Sequence, residues 1–579
     1  MRTCYIGNIC QKQINNIINL FGWIDNVRNH GKLIFIDLRD RSGLIQITFN
    51  ETNNSIVKKL KLIKNEFCIN IIGKVKIRPN NNIKNFIFCK KIEILSIKFR
   101  ILNKSIKLPF NLKKSNISEE IRLKNRFLDL KRPIMQKNII KRYNITLKIR
   151  KFLDNADFIE IETPFLTKNT PEGAKNYIVC SNSKSNTTFS LPQSPQLFKQ
   201  ILMIAGFDKY YQITKCFRNE DLRSDRQPEF TQIDCELSFL SEIEICKIFE
   251  KMIIYIFKNI LNIYLKFPFT QISWEKSMNL YGCDKPDLRK KIFLNDVTEI
   301  MNKIKYNVFN DICSKKYGKI ISFNISKIAN VSKNDINRCK NFFSEYGLKN
   351  FFYIKVGYKI KGSSKIKNLF SKKYKKYLDK LVLLNKPNNG DIIFIIAGEY
   401  NELNNYINYF IKSSLLNNIF KKDVFKKNIW HPIWVIDFPM FYFSNKENRY
   451  KSFHHPFTNL KEKYKIFVKK YPNRIISRSY DLVINGFEIG GGSIRINSKK
   501  FQNTIFKKIS LLNKKSVENF EFFTKALNYG APPHGGIAIG LDRLCTLMSE
   551  EESIRNFIAF PKSQNSKCLL TKSPSLHNN

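Results

Sequence analysis

The sequence predicts an α+β protein of several domains. We expect a small N-terminal β-barrel, a larger domain with an antiparallel sheet flanked by helices, and an α+β domain inserted into the larger one. The chain has 579 residues, which is too many for one hydrophobic core. Strand-like alternation fills the N-terminal region and returns around later turns. Between these regions, Lys285–Lys427 is marked by charge runs and carries no recognisable chemistry, which favours an insertion.

The composition excludes disorder, because 43% of the residues are hydrophobic and 13% are aromatic. The formal net charge is +52, from 100 Lys plus Arg against 48 Asp plus Glu. A surface this basic attracts polyanions and indicates a nucleic-acid partner. Lysine and asparagine also recur in every loop, as an AT-rich coding bias would produce, so compositional drift is an equally open origin of the charge.

The 13 cysteines include no CxxC pair, so neither a zinc ribbon nor a redox dithiol is indicated. Scattered cysteines are typical of a reducing cytoplasm. Met1–Gln11 has no apolar core of signal-peptide length, and no segment reaches the roughly 20 apolar residues that span a bilayer. We expect a soluble cytoplasmic protein with no membrane partner.

Five short alternating segments predict a closed barrel, and the OB-fold is the commonest such barrel that binds oligonucleotides. The segments are Phe21–Arg28, Lys32–Asp40, Leu44–Asn50, Phe67–Val75 and Phe86–Ser96. On this barrel Arg28, Phe35 and Gln46 would supply a cation, a stacking ring and a reader of base edges. In the alternative interpretation Phe35 is a core residue.

A linker rich in Lys, Asn, Ser and Pro is predicted from Ile101 to Asn116. A helix-rich segment begins at Glu119–Asp129, and a longer amphipathic helix is predicted over Lys137–Asn155. Phe158–Leu166 then has the pattern of a strand, closed by Pro164.

Residues 193–206 predict a helix with clear boundaries. Ser194 is a candidate N-cap, Pro195 a candidate first helical residue, and Gly206 a stop. Gln196 and Lys199 lie three residues apart, so they share one face of this helix.

Tyr210–Phe239 predicts two antiparallel strands joined by a highly charged loop. Such a hairpin brings Arg218, Glu220, Gln227 and Phe230 together over a polar floor. A cation, an aromatic ring and hydrogen-bonding edges suit a nucleotide. The alternative is an exposed hairpin with a solvated loop.

In the inserted region, the lysine run Lys372–Lys380 is interpreted as a solvated face. After the insertion, Asn485–Gly486 predicts a type I′ hairpin turn. That turn would pair Val483 with Glu488 and Asp481 with Gly490, so the two carboxylates lie diagonally on one face. Such carboxylates can share Mg²⁺ in a phosphate site, although a solvent-exposed pair is the alternative.

Small residues line one stretch of the last strong motif, Gly530–Met548, and would leave a strand face bare for a flat ligand. Leu541 is predicted to open a helix that carries Arg543 in its first turn, where anions are favoured. The small residues are Gly535, Gly536, Ala538 and Gly540.

In combination, these stretches resemble the motifs of the class II aminoacyl-tRNA synthetases. Along nearly the whole chain the resemblance is to the bacterial-type aspartyl-tRNA synthetase family. The stretches that carry it are TPEGA (Thr170–Ala174), QSPQLFKQ (Gln193–Gln200), FRNEDLRSDRQPEFTQID (Phe217–Asp234), HHPFT (His454–Thr458), NGFEIGGGSIRI (Asn485–Ile496) and GLDRL (Gly540–Leu544).

The resemblance implies an OB-fold anticodon-binding domain over 1–105, a catalytic domain in two parts over 106–284 and 428–579, and an inserted bacterial-type domain over 285–427. It implies a six-stranded antiparallel catalytic sheet and a homodimer built through the first motif. One departure is Asp157, where the family usually has glycine. Asp tolerates a left-handed backbone better than most residues, so we expect local strain and not a changed fold. The segment after Phe560 is short and irregular for the family, which puts a last helix there in doubt.

The implied reaction is an aspartate–tRNA ligase reaction in two steps. Aspartate attacks the α-phosphorus of ATP and releases pyrophosphate, and the 3′-terminal adenosine of the aspartate tRNA then takes the aspartyl group. Positioning and charge stabilisation supply the catalysis, because the substrates do the attacking. Arg218 is assigned to the α-phosphate and the aspartate carboxylate, and Arg543 to the γ-phosphate; both are counted as catalytic.

The resemblance also implies the remaining site residues. Aspartate would be bound by Glu172, Gln196, Lys199, Arg218, His454 and Arg495, with the Glu172 loop as a lid. ATP would be bound by Arg218, Asn219, Glu220, Gln227, Phe230, Glu488, Gly540, Leu541, Asp542 and Arg543. Mg²⁺ would be bound by Asp481 and Glu488, and the anticodon by Arg28, Phe35, Gln46 and Glu93.

Other functions agree less well with the sequence. Asparaginyl- and lysyl-tRNA synthetases share the barrel and motifs, but the large insertion and the Lys199/Arg495 pair argue against both. A stand-alone asparagine synthetase would lack the barrel, and a non-catalytic RNA-binding protein would have lost the ATP-site residues. Whether the enzyme also charges the asparagine tRNA stays open. His30 resembles the relaxed type, whereas Pro79–Ile83 lacks the glycine that often accompanies it; the balance falls slightly toward the relaxed type.

Overall fold

The structure is a computed structural model. It describes residues 1–576 apart from 31–32, 51–59, 61–62, 79–91, 171–174, 182–186, 305–306, 316, 327–330, 358–360, 363–370, 414, 417–428, 469 and 510–513. The chain divides into two compact units, Met1–Gln136 and Lys137–Asn579.

The first unit contains a closed five-stranded barrel in the order β1-β2-β3-β5-β4, which confirms the predicted OB-fold architecture. Neighbouring strands are antiparallel except for β3 and β5. The strands are β1 (Ile17–His30), β2 (Leu33–Arg39), β3 (Leu44–Asn50), β4 (Cys68–Ile77) and β5 (Ile92–Asn103). The fifth strand includes the first residues of the predicted linker, because Phe99 and Ile101 still pack against the barrel core.

After the barrel, two short helices, Glu119–Lys124 and Arg126–Asp129, confirm the predicted helix-rich segment. Their junction is organised by Asp129, which is fully buried and ion-paired with Arg122, Arg126 and Arg132. A buried carboxylate needs such partners, since an unpaired one carries a large desolvation penalty.

The second unit is built on an eight-stranded sheet in the order β11-β17-β20-β21-β22-β10-β9-β6. Its six central strands are antiparallel, as predicted, and one parallel strand is added at each edge. The strands are β6 (Ile159–Glu160), β9 (Lys209–Phe217), β10 (Glu229–Ser238), β11 (Thr270–Ser273), β17 (Pro432–Ile436), β20 (Ser479–Ile484), β21 (Phe487–Ile494) and β22 (His534–Gly540).

The two faces of this sheet differ because its strands alternate apolar and polar residues. Ile233 and Leu237 on β10 face a hydrophobic core that also contains residues of helices Pro133–Asp154 and Glu242–Leu261. Gln232, Asp234 and Glu236 lie on the opposite face, as the period of two requires. The sheet therefore carries a packed face and a polar face, and the polar face holds the site.

Several predicted elements begin or end elsewhere, among them the helix predicted over Lys137–Asn155, which spans Pro133–Asp154. The strand predicted over Phe158–Leu166 pairs only at Ile159–Glu160, because the chain leaves the sheet before Pro164, which cannot donate to a ladder. The helix predicted over 193–206 spans Gln196–Ile204, so Pro195 occupies the N-cap instead of the first helical position and Ser194 precedes the cap. Asp157 adopts a φ of 61°, the left-handed conformation expected of it.

The inserted region has a sheet of its own in the order β12-β13-β16-β14-β15, which confirms an inserted α+β fold. Its strands are β12 (Leu294–Asp296), β13 (Gly318–Ile325), β14 (Asn350–Lys355), β15 (Lys361–Gly362) and β16 (Ile392–Glu399). Its helices are Thr298–Asn302, Asn307–Cys313, Lys333–Glu345, Lys375–Asn385 and Tyr400–Lys412. Both faces of this sheet are covered by apolar residues.

The remaining elements surround the main sheet. Two small hairpins consist of β7 (Ile178–Cys180) with β8 (Thr188–Ser190), and of β18 (Phe441–Ser444) with β19 (Arg449–Ser452). The other helices are Trp274–Tyr281, Lys499–Lys508, Lys514–Ala526 and Leu541–Leu547. Within the described residues, none of the helices combines the length and hydropathy that crossing a membrane requires.

Candidate active site

A cavity of about 430 Å³ opens on the polar face of the main sheet. It is walled by β10, β21 and β22, by the loop that joins β9 to β10, and by helix Gln196–Ile204. The predicted site residues that line it are Gln196, Lys199, Arg218, Glu220, Gln227, Phe230, His454, Asp481, Glu488, Arg495, Gly540, Asp542 and Arg543. Residues from motifs more than 300 positions apart thus meet in one place.

One end of the cavity has the groups that a nucleotide requires. The Arg218 guanidinium lies 5.1 Å from the centroid of the Phe230 ring, and the buried Arg218 Nε has no hydrogen-bond partner among the described residues. Arg543 Nη2 lies 3.3 Å from Asp225 Oδ2, and Arg543 Nη1 donates to the Glu488 carbonyl. A flat ring beside two cations suits a base with phosphates.

Other predicted ATP ligands are engaged within the protein. Both amide atoms of Gln227 bond the backbone of Lys562: its Oε1 accepts from the Lys562 N–H at 2.8 Å and its Nε2 donates to the carbonyl at 3.1 Å. The side chain of Gln227 therefore holds the C-terminal segment. Glu220 accepts from Arg226 at 2.9 Å, so its carboxylate is already paired.

Three residues of the predicted ATP set have structural contacts of their own. The Asn219 backbone N–H donates to Lys175, and Asn219 does not belong to the cavity wall. The Leu541 side chain is buried in the core, although Leu541 does open a helix as predicted. Asp542 is ion-paired with Arg142 and accepts from the Thr231 N–H at 2.7 Å, so it ties helix Pro133–Asp154 to β10.

The prediction of a bare face on β22 holds for only part of that strand. Ala538 and Gly540 line the cavity, together with Gly490, Gly491 and Gly492 of β21. Gly535 faces the core beside Ile245 and Ile494, and Gly536 leaves space for the Glu236 carboxylate. The alternation of β22 puts Gly535 on the packed face, so it was wrongly grouped with the others.

At the other end of the cavity lies a buried network of two cations and two carboxylates. Lys199 Nζ contacts Asp234 Oδ1 at 2.7 Å and Glu236 Oε2 at 3.2 Å. Arg495 forms a bidentate pair with Glu236, Nε to Oε1 at 2.8 Å and Nη2 to Oε2 at 3.1 Å. Lys199, Arg495 and Asp234 line the cavity, whereas Glu236 lies behind them. The cavity therefore has a cationic wall held rigid by a carboxylate.

The two carboxylates of this network titrate in opposite directions. Complete burial raises the pKa of Asp234, despite the ammonium group of Lys199 beside it. Burial acts in the same sense on Glu236, but Arg495 and Lys199 outweigh it, so the pKa of Glu236 is lowered. Asp234 Oδ2 and Gln196 Nε2 are buried without a hydrogen-bond partner among the described residues. Both are available to a ligand with polar groups.

The two adjacent histidines have different surroundings. His454, the predicted ligand, contacts the Phe438 ring, with a centroid separation of 4.6 Å, and lies 3.5 Å from Asp481 Oδ1. His455 accepts from Arg495, and burial together with the Arg495 charge lowers its pKa far below the ordinary value. His455 is therefore a neutral residue that fixes Arg495. Sequence reasoning had considered only its neighbour.

The carboxylate hairpin forms as predicted at its turn, where Asn485 and Gly486 have φ values of 52° and 83°. Glu488 pairs with Val483 as predicted, but Asp481 pairs with Gly491 instead of Gly490, because a β-bulge inserts Ile489. Asp481 and Glu488 still line the same cavity. Burial raises the pKa of Asp481, whereas Lys285 holds the pKa of Glu488 below its ordinary value in spite of burial.

The described residues contain no group of three or more His, Cys, Asp or Glu side chains that could hold a metal ion. Asp481 and Glu488 nevertheless suit Mg²⁺, because this ion keeps several waters and is usually bound by one or two carboxylates together with substrate phosphates. A two-carboxylate site of this kind is complete only when a nucleotide supplies the other oxygens.

The predicted anticodon residues lie together on the barrel, with Gln46 buried and the other three partly exposed. Arg28 Nη2 bonds Asp37 at 2.6 Å and Gln46 at 3.1 Å, and Gln46 Nε2 donates to Glu93 at 2.8 Å. Phe35 is half-buried and outside the barrel core, with the Arg28 guanidinium 5.9 Å from its centroid, so the core interpretation was wrong.

Two further residues of the barrel contact the predicted anticodon residues. His30 packs its ring against Phe35 with a centroid separation of 5.7 Å, beside the predicted anticodon residues. Arg78, which sequence reasoning missed, donates to Gln46 at 2.6 Å. The predicted aspartate ligand Glu172 and the loop Pro79–Ile83 lie outside the described residues.

Comparison with known proteins gives the family. A model described as tRNA synthetases class II (D, K and N) matches residues 118–564, and one described as OB-fold nucleic acid binding domain matches residues 18–98. The chain therefore belongs to the class II tRNA synthetases of the D, K and N group. Synthetases of this class use ATP and an amino acid and act on tRNA, which agrees with the predicted substrate classes.

Solved structures with a similar fold include two asparaginyl-tRNA synthetases. That of Pyrococcus horikoshii, complexed with asparaginyl-adenylate, is 15% identical with a TM-score of 0.60, over 97% of this chain and 98% of that one. That of Entamoeba histolytica with asparaginyl-adenylate is 18% identical with a TM-score of 0.59, over 97% of each chain. At this level of identity the likeness concerns the fold.

Proposed function

We propose that this class II synthetase is an aspartate–tRNA ligase, which activates L-aspartate with ATP and transfers it to the 3′ end of the aspartate tRNA. One observation carries the proposal: the inner end of the cavity has a buried cationic wall, formed by Lys199 and Arg495. Both cations are ion-paired with Glu236 but also line the cavity, so a ligand with a carboxylate would accept further charge-assisted hydrogen bonds from them.

The charges of aspartate match this end of the cavity group by group. The side-chain carboxylate would bind Arg495 and Lys199, the α-ammonium would donate to Asp234 Oδ2 and to the side-chain oxygen of Gln196, and the α-carboxylate would lie toward Arg218. These protein atoms include the buried Asp234 Oδ2 and Arg218 Nε, whose lack of partners is otherwise costly. The geometry also leads the α-carboxylate to the end where the ATP phosphates would lie.

Asparagine is a second candidate, and one observation favours it. Glu236 already contacts both cations, so part of the positive charge of the wall is neutralised before any substrate binds. A side-chain amide would accept from Arg495 and need no further counter-charge. We rank aspartate first because Glu236 lies behind the wall, whereas both cations line the cavity.

We further propose that Asp481 and Glu488 bind Mg²⁺ when ATP is bound, and that the barrel binds the anticodon. When bound, Mg²⁺ would neutralise charge on the ATP phosphates. On the barrel, the partly exposed Arg28 and Glu93 are connected through the buried Gln46 and lie near the half-buried ring of Phe35. Single-stranded RNA bases are bound by such combinations of stacking and edge contacts.

The amino-acid assignment is tested by ATP–pyrophosphate exchange with aspartate and asparagine in parallel. We expect kcat/KM for aspartate to exceed that for asparagine by about 10²-fold or more, because only a carboxylate accepts charge-assisted hydrogen bonds from both Arg495 and Lys199. A preference for asparagine of similar size would reverse the ranking of the two candidates. Exchange with neither amino acid would reject both.

Whether the enzyme charges only the aspartate tRNA or also the asparagine tRNA is tested with tRNAs that carry GUC and GUU anticodons. Both are charged with aspartate in parallel. Charging of both is expected from the slight balance toward the relaxed type, and the His30→Leu variant should then lose preferentially the GUU activity. Arg2→Leu is the matched control, since Arg2 bonds the backbone of Phe21 away from the predicted anticodon residues. If the ratio of GUC to GUU charging is unchanged in His30→Leu, His30 only packs against Phe35 and does not select the tRNA.

We also propose a homodimer, because an apolar stripe is exposed on helix Pro133–Asp154. Ile140, Tyr143 and Leu147 lie at helical spacing and are 44%, 62% and 49% exposed. A second copy of the chain is the expected partner, since homodimers bury such faces symmetrically.

The dimer is tested by light scattering on a size-exclusion column. The unmodified chain should elute as a dimer and Leu147→Glu as a monomer, because a charge would be buried in an apolar contact. Ile243→Glu is the matched control, since Ile243 is a similarly exposed residue (55%) on another helix. A monomeric unmodified chain, or a dimeric Leu147→Glu variant, would contradict the proposal.

A further inference from the structure

One cation beside the carboxylate hairpin has no role in the proposed reaction. Lys285 Nζ lies 2.7 Å from Glu488 Oε2, the carboxylate that we assign to Mg²⁺. Asp481 and Asp284 are close enough to Lys285 to act on its charge as well. An ammonium group thus occupies the oxygen that a divalent cation would need.

The backbone around Lys285 holds the lysine at this position. Helix Trp274–Tyr281 ends at Gly282 with a φ of 68°, and the chain then turns toward the hairpin. There Asp287 packs against the turn glycine Gly486, whose added Cβ would lie 3.2 Å from the Asp287 Cβ. Arg289 Nε bonds Asp287 Oδ1 at 2.9 Å and stiffens the loop.

The loop therefore packs on the same hairpin that carries both carboxylates. A lysine on a free surface loop would sample many rotamers, and its ion pair would contribute little. Here Asp287 lies against the turn at Gly486, so the loop and the hairpin are in contact beside the Lys285–Glu488 pair, whose side chains are 37% and 29% exposed.

We propose that Lys285 is a built-in counter-ion that occupies Glu488 in the nucleotide-free enzyme and must leave it when a metal–nucleotide complex binds. The inference rests on the proposed metal role of Glu488. Its consequence is that divalent cation and nucleotide bind together. Lys285 acts as a positioning residue, and the ligand that displaces it is a nucleoside triphosphate with its divalent cation.

Charge explains why the divalent cation and the nucleotide bind together. A divalent cation that arrives alone must displace the ammonium group from Glu488 and leave it near the cation, with no new anionic partner. A cation that arrives with a triphosphate brings oxyanions to which the displaced Lys285 can turn. Arg543, whose Nη1 bonds the Glu488 carbonyl, is positioned to bind the same phosphates. Binding of the metal alone is thus disfavoured, and binding of the complex is not.

The test measures Mn²⁺ binding to the full chain without nucleotide, from the loss of the free-ion signal in electron paramagnetic resonance. We expect Lys285→Met to bind Mn²⁺ at least about tenfold more tightly than the unmodified chain, because a repelling charge is removed and a carboxylate is freed. Lys285→Arg should behave like the unmodified chain. Glu488→Gln added to Lys285→Met should abolish the gain.

Lys319→Met is the matched control, because Lys319 Nζ pairs with Asp296 at 2.6 Å in the inserted domain, away from the cavity. It should leave Mn²⁺ binding unchanged. Thermal melting verifies that each variant folds, and Lys285→Gln serves as the second neutral variant if Lys285→Met does not fold.

A separate arm tests the assumption about Glu488. Calorimetry measures the affinity for a non-hydrolysable ATP analogue, once with Mg²⁺ and once with a chelator. The difference between these two affinities should be mostly lost in Glu488→Gln. If the difference persists in Glu488→Gln, the metal assignment fails, and the counter-ion proposal fails with it. If the difference is lost but both neutral Lys285 variants bind Mn²⁺ no better than the unmodified chain, only the counter-ion proposal is overturned.

Discussion

Replacing Arg495 with leucine is expected to abolish aspartate-dependent ATP–pyrophosphate exchange, with a loss of about 10³-fold or more in kcat/KM. The guanidinium is the larger of the two buried cations at the inner end of the cavity, and it forms a bidentate pair with Glu236. Its removal takes away the proposed partner of the substrate side chain and leaves the Glu236 carboxylate to repel that substrate. Exchange at varied aspartate concentration measures the effect.

The control for this variant separates binding from folding. Arg478→Leu removes a guanidinium that is ion-paired with Glu242 in the same unit, outside the cavity. We expect it to retain exchange close to that of the unmodified chain. Binding of ATP to Arg495→Leu should also persist, because the nucleotide end is untouched. Exchange near the unmodified level in Arg495→Leu would reject the assignment of the pocket.

Replacing Arg218 with leucine is expected to lower kcat for adenylate formation by about 10²- to 10³-fold, the range found when one preorganised charge-stabilising donor is removed. Arg218 is positioned by β9 at the start of the charged loop, and Phe230 of β10 lies against its guanidinium. Its orphan Nε suits an oxyanion that develops on the α-phosphate. Exchange at saturating aspartate and ATP isolates kcat from binding.

Lys215 supplies the matched control for Arg218. It lies on β9, three residues before Arg218, and its side chain is exposed. Lys215→Leu should leave kcat within about twofold of the unmodified value, because surface substitutions of this kind have small effects. A comparable loss in both variants would mean that Arg218 acts through the stability of β9 and not through the reaction.

The sequence carried much of the fold because its patterns are local. The five barrel strands follow from alternation, and the Asn485–Gly486 turn follows from two residues that accept positive φ. The gathering of Arg218, Gln227 and Phe230 followed from the pairing of β9 with β10. Such patterns depend on neighbours in the chain, and a single sequence displays them.

The features of the site that the sequence does not predict depend on contacts between distant segments. Glu236 shares a face of β10 with Gln232 and Asp234, but its contact with Arg495 requires the register of β22 between β10 and β21. The sequence does not predict the contact of His455 with Arg495, because nothing local distinguishes His455 from His454. The bulge at Ile489 shifted the partner of Asp481 by one residue, since hairpin register was counted from the turn alone.

The buried network of cations and carboxylates also bears on how this chain can change over generations. An added Cβ at Gly536 would fall on the Glu236 carboxylate, and one at Gly492 would fall on the Gly536 carbonyl. Any mutation at either site would force β21, β22 or Glu236 to move. Exposed positions of this chain accept lysine or asparagine at little cost, whereas these two glycines accept no side chain without movement of their neighbours. Selection on the amino-acid pocket thus extends to the backbone of Gly536, which lies outside the cavity wall.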